Sequence, residues 1–403
     1  MSGLLSVKDA LARILDGVEP LGPEDIPLTH ADGRILAQDL AAKRTQPPFC
    51  ASAMDGYAVR AEDIAETPVK LTMVGESAAG HGYAGHIGDG ECVRIFTGAP
   101  VPEGADSIVI QENAQAAGNR VTFCEPVVRG NYIRPAGMDF SENAILLNAG
   151  QTLDPASLSL AAAMNHPTLP VRRKPVIAII ASGDELVLPG NKPAPDQIVA
   201  SNSFGVSAIV SRAGGRAFDC GIANDNLTSL AEKFEAASKA DIVVTLGGAS
   251  VGDHDLVRDA LEARGVDLSF WKLAMRPGKP VMFGIGTDGD RKIRYIGLPG
   301  NPVSSLVCAH IFVAPLIQAL LGLPSDAPRL NAKLAVALPK NDQREEYMRA
   351  TVETRDGERF ITPFKNQDSS LLSLYARAHC LMVRPAHAPA SKAGEDCEII
   401  LLG

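Results

Sequence analysis

The 403 residues exceed what one hydrophobic core usually organises, so two to four compact units are expected, and 46% hydrophobic residues make the chain globular. A formal net charge of −9 with a pI near 5.5 leaves no broad basic face, which argues against nucleic acid or an anionic membrane as the main partner. An anionic ligand must therefore meet a local basic cluster or a metal.

The opening stretch MSGLLSVKDALARIL lacks a basic leader, and Leu4, Val7, Leu11, Ile14 and Leu15 recur at helical spacing. It reads as an amphipathic helix, not a signal peptide. An alternating stretch follows and is broken by Gln46-Pro47-Pro48-Phe49. Asp55 then stands directly before Gly56, at a bend into a strand, where a structural Asp-Gly turn is an equally good reading. Residues 71–139 change to short apolar runs separated by glycines, the text of a small β-rich unit inserted in the N-terminal region. Its loops carry Thr97, Arg134 and Asp139. A threonine hydroxyl and a guanidinium suit an oxyanion, although each also reads as a turn or surface residue.

Asp154 and Pro155 look like the N-cap and first position of a helix over residues 156–164. The basic, proline-closed VRRKP at 171–175 marks a domain boundary. Strand (176–180), helix (203–213), strand (216–222), helix (227–237) and strand (241–246) then alternate, which predicts an α/β unit with a largely parallel sheet. Within it, the run DIVVTLGGASVGDHD ends a buried strand on Gly247 and Gly248 and passes Ser250 before Asp253, His254 and Asp255. A strand, glycine turn and helix N-terminus form a phosphate site in outline, or simply a βα turn that needs small residues. RPGKP at 276–280 puts two cations on a stiff turn. GLPGNP at 297–302 has proline and glycine placed for a type II turn. Glu185, after the first strand of the unit, and Asp255 could face each other across one cleft and hold Mg²⁺, or they could be two helix-capping acids.

The uncharged stretch 303–323 is long enough to raise a membrane span, but His310, Pro315 and Gln318 favour a buried core helix. Beyond residue 324 short alternating runs predict an all-β C-terminal domain. Seven scattered cysteines without CxxC spacing read as buried small hydrophobes in a reducing compartment.

Six ordered blocks, AMDGYA (53–58), TGAPVPEGAD (97–106), SGDEL (182–186), the glycine turn at 247–248, RPGKP and GLPGNP, resemble the MoeA family, molybdopterin molybdotransferases related to the gephyrin E domain. The resemblance spans essentially the whole chain. It implies an α/β multidomain protein: an N-terminal region at 1–170 (1–46 and 140–170 linking, 47–139 an inserted β-rich subdomain), a central doubly wound MogA-like molybdopterin-binding domain at 171–324, and a C-terminal β-barrel at 325–403. It implies insertion of molybdate into adenylylated molybdopterin with release of AMP, with Mg²⁺ on Glu185 and Asp255. It points to Asp55, Thr97, Glu185 and Asp255 as catalytic, and to Arg134, Asp139, Asp225, Gly247, Gly248, Ser250, Lys272, Pro299 and Pro302 on the organic substrate. Arg276, Lys279, Pro280, Ser304, Arg349 and Ser369 are implied around molybdate. The resemblance further implies a cytoplasmic homodimer, with Asp55, Thr97 and Asp139 acting across the dimer, served by a MogA-type adenylyltransferase and handing its product to molybdoenzymes. Adenylylation of molybdopterin and a gephyrin-like scaffold are the alternatives. The first looks like the central domain alone, and the retained acids and cations oppose the second. Asp368, where the family commonly has glycine, and His379, aligned to an asparagine, depart from the pattern near Ser369.

Overall fold

The computed structural model describes residues 4–247, 256–326 and 329–402, with backbone alone at 270 and 271. The chain forms two compact units, Met1–Pro23 with Arg172–Gly403, and Glu24–Val171. The N-terminal helix α1 (Val7–Leu15) thus packs with the later residues and not with the linking segment expected for 1–46. Its buried stripe, Val7, Ala10 and Ile14, needs an apolar partner and finds the long apolar helix at Pro302–Leu320. Leu5 N donates to Lys272 O at 3.1 Å and Leu21 N to Leu320 O at 2.7 Å, which fixes both ends of the segment.

In the Glu24–Val171 unit, β1 (Gly56–Val59), β2 (Val69–Ser77), β3 (Glu91–Ile95), β4 (Ser107–Ile110), β5 (Ala114–Ala117) and β6 (Arg120–Phe123) make one sheet in the order β4-β1-β3-β2-β6-β5. Strand alternation sends Tyr57, Val59 and Cys92 to one face and Ala58, Val93 and Ile95 to the other, so both faces carry apolar cores. A separate core joins Leu36, Leu40, Phe140, Leu147, Leu153 and Leu169 around helix α2 (Pro155–Ala163). As expected, Asp154 caps that helix, its Oδ1 accepting from Ser157 N at 2.7 Å.

The other unit is built on β7 (Val176–Ser182), α3 (Asn202–Arg212), β8 (Arg216–Ala223), α4 (Leu227–Ala236), β9 (Ile242–Leu246), α5 (Leu256–Glu262), β10 (Asp267–Lys272), β11 (Met275–Arg276), β12 (Pro280–Asp288) and β13 (Arg291–Leu298). The sheet order is β8-β7-β9-β13-β12-β10, all strands running one way except β12, which pairs antiparallel with both its neighbours. Every residue of β9 is buried, as its unbroken apolar run requires. The carboxyl ends of five strands therefore share an edge. Because β12 runs the other way, the turn that precedes it opens at that same edge.

The apolar stretch is a core helix, α6 (Pro302–Cys308) and α7 (Ala314–Leu320) joined through a wider π turn at Ala309–Val313. Pro315 cannot donate an N–H and its ring crowds the preceding turn, so the helix widens there. Of the apolar window in this stretch, 78% is buried inside the protein.

The C-terminal strands β14 (Leu330–Leu334), β15 (Glu345–Arg355), β16 (Glu358–Pro363), β17 (Cys380–Arg384) and β18 (Asp396–Leu401) pair in a closed ring, β15-β16-β14-β18-β17 and back to β15. This is the expected barrel, and β11 pairs in parallel onto its strand β15. Not all seven cysteines fill cores. Cys92, Cys308 and Cys380 are buried, Cys220 and Cys397 are half-buried, and Cys50 and Cys124 are exposed where the chain enters or leaves short strands; all seven are free thiols.

Candidate functional site

At the carboxyl edge of the central sheet lies a cavity of about 860 Å³. Its walls come from the turn after β7 (Ser182, Glu185), the end of β9 (Gly247), the RPGKP turn (Arg276, Lys279, Pro280), the turn after β13 (Pro299, Pro302, Ser304) and the loop Gln367, Asp368, Ser369 beside the barrel. Gly247 sits at φ +94°, and a Cβ there would press to 3.0 Å from Ser182 O, so the close approach of the two strand ends demands glycine. Gly183 takes φ +146°, a conformation L side chains rarely adopt, and the Glu185 carboxylate folds over it. Asp225 is drawn to the same edge: its N–H donates to Asp184 Oδ1 at 3.0 Å, and Asp184 N donates to Asp225 Oδ2 at 3.4 Å. Gly248, Ser250 and Asp255 lie outside the described residues.

The GLPGNP turn is shaped differently from expectation. Gly300 does not take the positive φ that a type II turn needs. Side chains set the turn instead: Asn202 Nδ2 donates to Gly300 O at 2.7 Å, and the Ser305 hydroxyl donates to Pro299 O. Asn301 Nδ2 donates to Ser369 Oγ at 2.9 Å and Val303 N to Ser369 O at 3.1 Å, which ties the barrel's loop to the start of α6. Asp368 replaces conformational freedom with hydrogen bonds, its Oδ1 accepting from Ser370 N at 2.9 Å and Ser370 Oγ at 2.6 Å. Those bonds hold its carboxyl below the usual range. His379 Nδ1 accepts from Val352 N at 3.1 Å, so the second departure also has a structural partner.

The basic groups are not equivalent. Lys279 is exposed at the cavity and has no ion pair among the described residues. Arg276 is already engaged: its Nε and Nη2 lie 3.0 and 2.8 Å from Glu346 Oε1. Arg349 is fully buried and does not line the cavity. Its Nε and Nη1 have no partner among the described residues, Nη2 reaches Asn366 O at 3.4 Å, and burial lowers its basicity. It sits behind the 366–369 loop, which Gln367 pins to the Arg349 backbone in both directions at 3.0 and 3.1 Å. Lys272, at the end of β10, is exposed and outside the cavity wall.

In the Glu24–Val171 unit, Asp55 and Thr97 meet across 42 residues of sequence: Asp55 Oδ1 accepts from Thr97 N at 2.7 Å and Thr97 Oγ1 at 2.8 Å. The backbone bond, then the hydroxyl, and more weakly the charge of Arg94 hold this carboxyl below its usual range. Arg134 and Asp139 line a second cavity of about 610 Å³ with Arg44, Phe49, Gly98 and Met138. Asn202, Asn301, Asp184 and Glu346 were not singled out from sequence. The two asparagines stand at helix starts, which was their available signal. Glu346 lies inside the block REEYMR with nothing to separate it from its neighbours.

An α/β core with a cavity at the carboxyl ends of its strands, beside a small barrel, defines a multidomain protein of the kind that binds ligands at the sheet edge. Family models match along almost the full length: the MoeA N-terminal region (domain I and II) at 5–165, a probable molybdopterin binding domain at 178–319 and the MoeA C-terminal region (domain IV) at 331–402. The chain belongs to the MoeA family. It is 34% identical to a molybdopterin molybdenumtransferase of Nostoc sp., covering 98% of this chain and 94% of that one, and 33% identical to that of Haemophilus influenzae, covering 98% of each. The molybdopterin biosynthesis MoeA protein of Pyrococcus horikoshii has a solved structure that matches with a TM-score of 0.85 at 28% identity, covering 100% of both chains.

Proposed function

We infer that this protein is a molybdopterin molybdenumtransferase, which takes adenylylated molybdopterin and molybdate to molybdenum cofactor and AMP. The observation that supports it most is the meeting of the glycine turn, the RPGKP turn, the GLPGNP turn and the Ser369 loop around one cavity large enough for a nucleotide-sized ligand.

The backbone at Gly247 lines the cavity without a side chain in the way and suits phosphate oxygens. Lys279, Ser304 and Ser369 provide a cation and two hydroxyls for a tetrahedral dianion, and Arg276 and Arg349 add charge around them. Glu185, exposed on the cavity wall, offers hard oxygen donors. The family resemblance pairs it with Asp255, which lies outside the described residues, as the carboxylates for Mg²⁺, an ion that favours one or two carboxylates with water and phosphate oxygens. When bound, such an ion polarises the phosphorus. Asp55, kept ionised by Thr97, together with Arg134 and Asp139, makes the second residue set. Its participation across a homodimer rests on the family resemblance. The same resemblance suggests that an adenylyltransferase supplies the substrate and molybdoenzymes receive the product; seven free thiols suit a cytoplasmic setting.

The test is direct: purified protein is mixed with adenylylated molybdopterin, Mg²⁺ and molybdate. AMP release that depends on molybdate supports the reading. AMP formed at the same rate without molybdate, or adenylylation of free molybdopterin from ATP, contradicts it.

A further inference from the structure

Three adjacent strands carry a row of charges on one face. Arg276 of β11 pairs in register with Glu346 of β15, and Glu346 pairs in register with Arg384 of β17. Glu346 and Arg384 are 7% and 6% exposed, whereas the side chain of Arg276 is 42% exposed and faces the cavity. Arg384 is fixed from behind, its Nη2 donating to the carbonyls of Pro339 and of Pro389, the latter at 2.8 Å. Glu346 in turn takes both Nε and Nη2 of Arg276 on a single oxygen, at 3.0 and 2.8 Å. Asp342 lies 3.7 Å from Arg276 Nη1 and is itself occupied by Arg344 at 2.9 Å.

The Nε–Nη2 edge is one side by which a guanidinium grips a tetrahedral oxyanion with two parallel bonds. Here that edge is turned to a buried carboxylate. Two consequences follow for an anion in the cavity. Its attraction to Arg276 is offset by a negative charge in direct contact with the guanidinium, and Arg276 is held by its fork and cannot swing to close on a smaller ion. Sulfate and phosphate have the same shape and similar charge as molybdate but shorter bonds to oxygen, so an unrestrained, unneutralised arginine would accept all three.

We propose that Glu346 is a specificity-determining residue of the oxyanion site, restraining Arg276 so that the cavity rejects sulfate and phosphate in favour of the larger oxyanion. The proposal rests on the oxyanion reading of the cavity given above. Glu346 acts through Arg276 and is a positioning residue.

The experiment measures equilibrium binding of molybdate, sulfate and phosphate to the full-length protein by calorimetry, with melting curves as a folding check. Glu346→Gln keeps the side chain's shape and removes its charge. It should tighten sulfate and phosphate by about tenfold or more, the scale of one unit charge acting at close range. Molybdate should change less, so the molybdate-to-sulfate ratio narrows. Arg276→Lys, at a half-exposed position, keeps the cation but loses the fork, and should narrow the ratio as well even if Glu346→Gln fails to fold. In an Arg276→Gln background, removing the Glu346 charge should no longer alter sulfate binding. An unchanged ratio in both Glu346→Gln and Arg276→Lys, with molybdate still bound, overturns the role of Glu346 alone. Failure of the wild-type protein to bind molybdate overturns the oxyanion reading and this inference with it.

Discussion

Gly278 is the residue on which the RPGKP turn depends, and Gly278→Ala tests that dependence. It sits at φ +105°, and an added Cβ would collide with Cys308 Sγ and lie 3.3 Å from Met275 Cε. Neither neighbour can give way easily, since Cys308 and Met275 are both 0% exposed. The backbone conformation costs an L-residue about 1–3 kcal/mol, and overpacking a closed site costs about 1–3 kcal/mol more. The turn should therefore move before the core does. Because it carries Arg276 on one side and Lys279 on the other, a shift of about 1 Å should lower molybdate-dependent turnover by roughly a hundredfold and raise the molybdate half-saturation. Cys308→Ala, which removes the colliding sulfur, should recover the steric share in the double variant but leave the backbone share. The assay is AMP release against molybdate concentration, with the denaturant midpoint measured alongside. A Gly278→Ala protein with unchanged midpoint and half-saturation, or a double variant no better than the single one, refutes the packing argument.

Four further outcomes are expected. Thr97→Val removes one of the two donors to Asp55, so the Asp55 pKa should rise toward the ordinary carboxylate value in a carbon-detected titration; because the folded pKa is depressed, the Asp55 contribution is present above the unfolded value and is lost as pH falls through the folded one, which the variant should move upward. His310, pushed down to about 4 by burial and then by Arg212, is neutral in the fold while the unfolded chain takes up a proton near 6.5. Its presence should cost up to about 3 kcal/mol of stability between pH 6.5 and pH 4, and His310→Leu should flatten the fall of the denaturant midpoint over that window. Asp241→Asn breaks a paired contact with Arg173 at 3.0 and 2.8 Å and weakens the bond from Val176 N, and should cost about 1–3 kcal/mol by denaturant titration without altering the molybdate half-saturation. Glu185→Gln should slow AMP release far more than it weakens pterin binding at saturating Mg²⁺, and near-normal turnover would remove Glu185 from the metal.

Much of the architecture was legible because hydrophobic period and turn residues act locally. The wholly apolar β9, the Asp154 cap and the alternation of strand and helix led to the correct sheet, and the parallel order then fixed which loops share an edge. The position of α1 was not legible, because an amphipathic stripe at Val7, Ala10 and Ile14 says that a partner exists without saying which. The GLPGNP turn misled for a related reason: Pro299 and Gly300 have an intrinsic preference, but Asn202 and Ser305, distant or later in sequence, overrule it with hydrogen bonds. Arg276, Lys279 and Arg349 look alike as letters. Only the fold distinguishes a cation engaged by Glu346, one exposed at the cavity and one sealed behind a loop.

The central claim, that the cavity at the strand ends receives the oxyanion, is tested most directly by locating a heavy analogue. Crystals soaked in tungstate and measured at a tungsten absorption edge should show one strong anomalous peak between Lys279, Ser304 and Ser369, abolished by Lys279→Ala. A peak confined to the second cavity beside Arg134 and Asp139, or one at the expected place that Lys279→Ala leaves intact, would contradict the account.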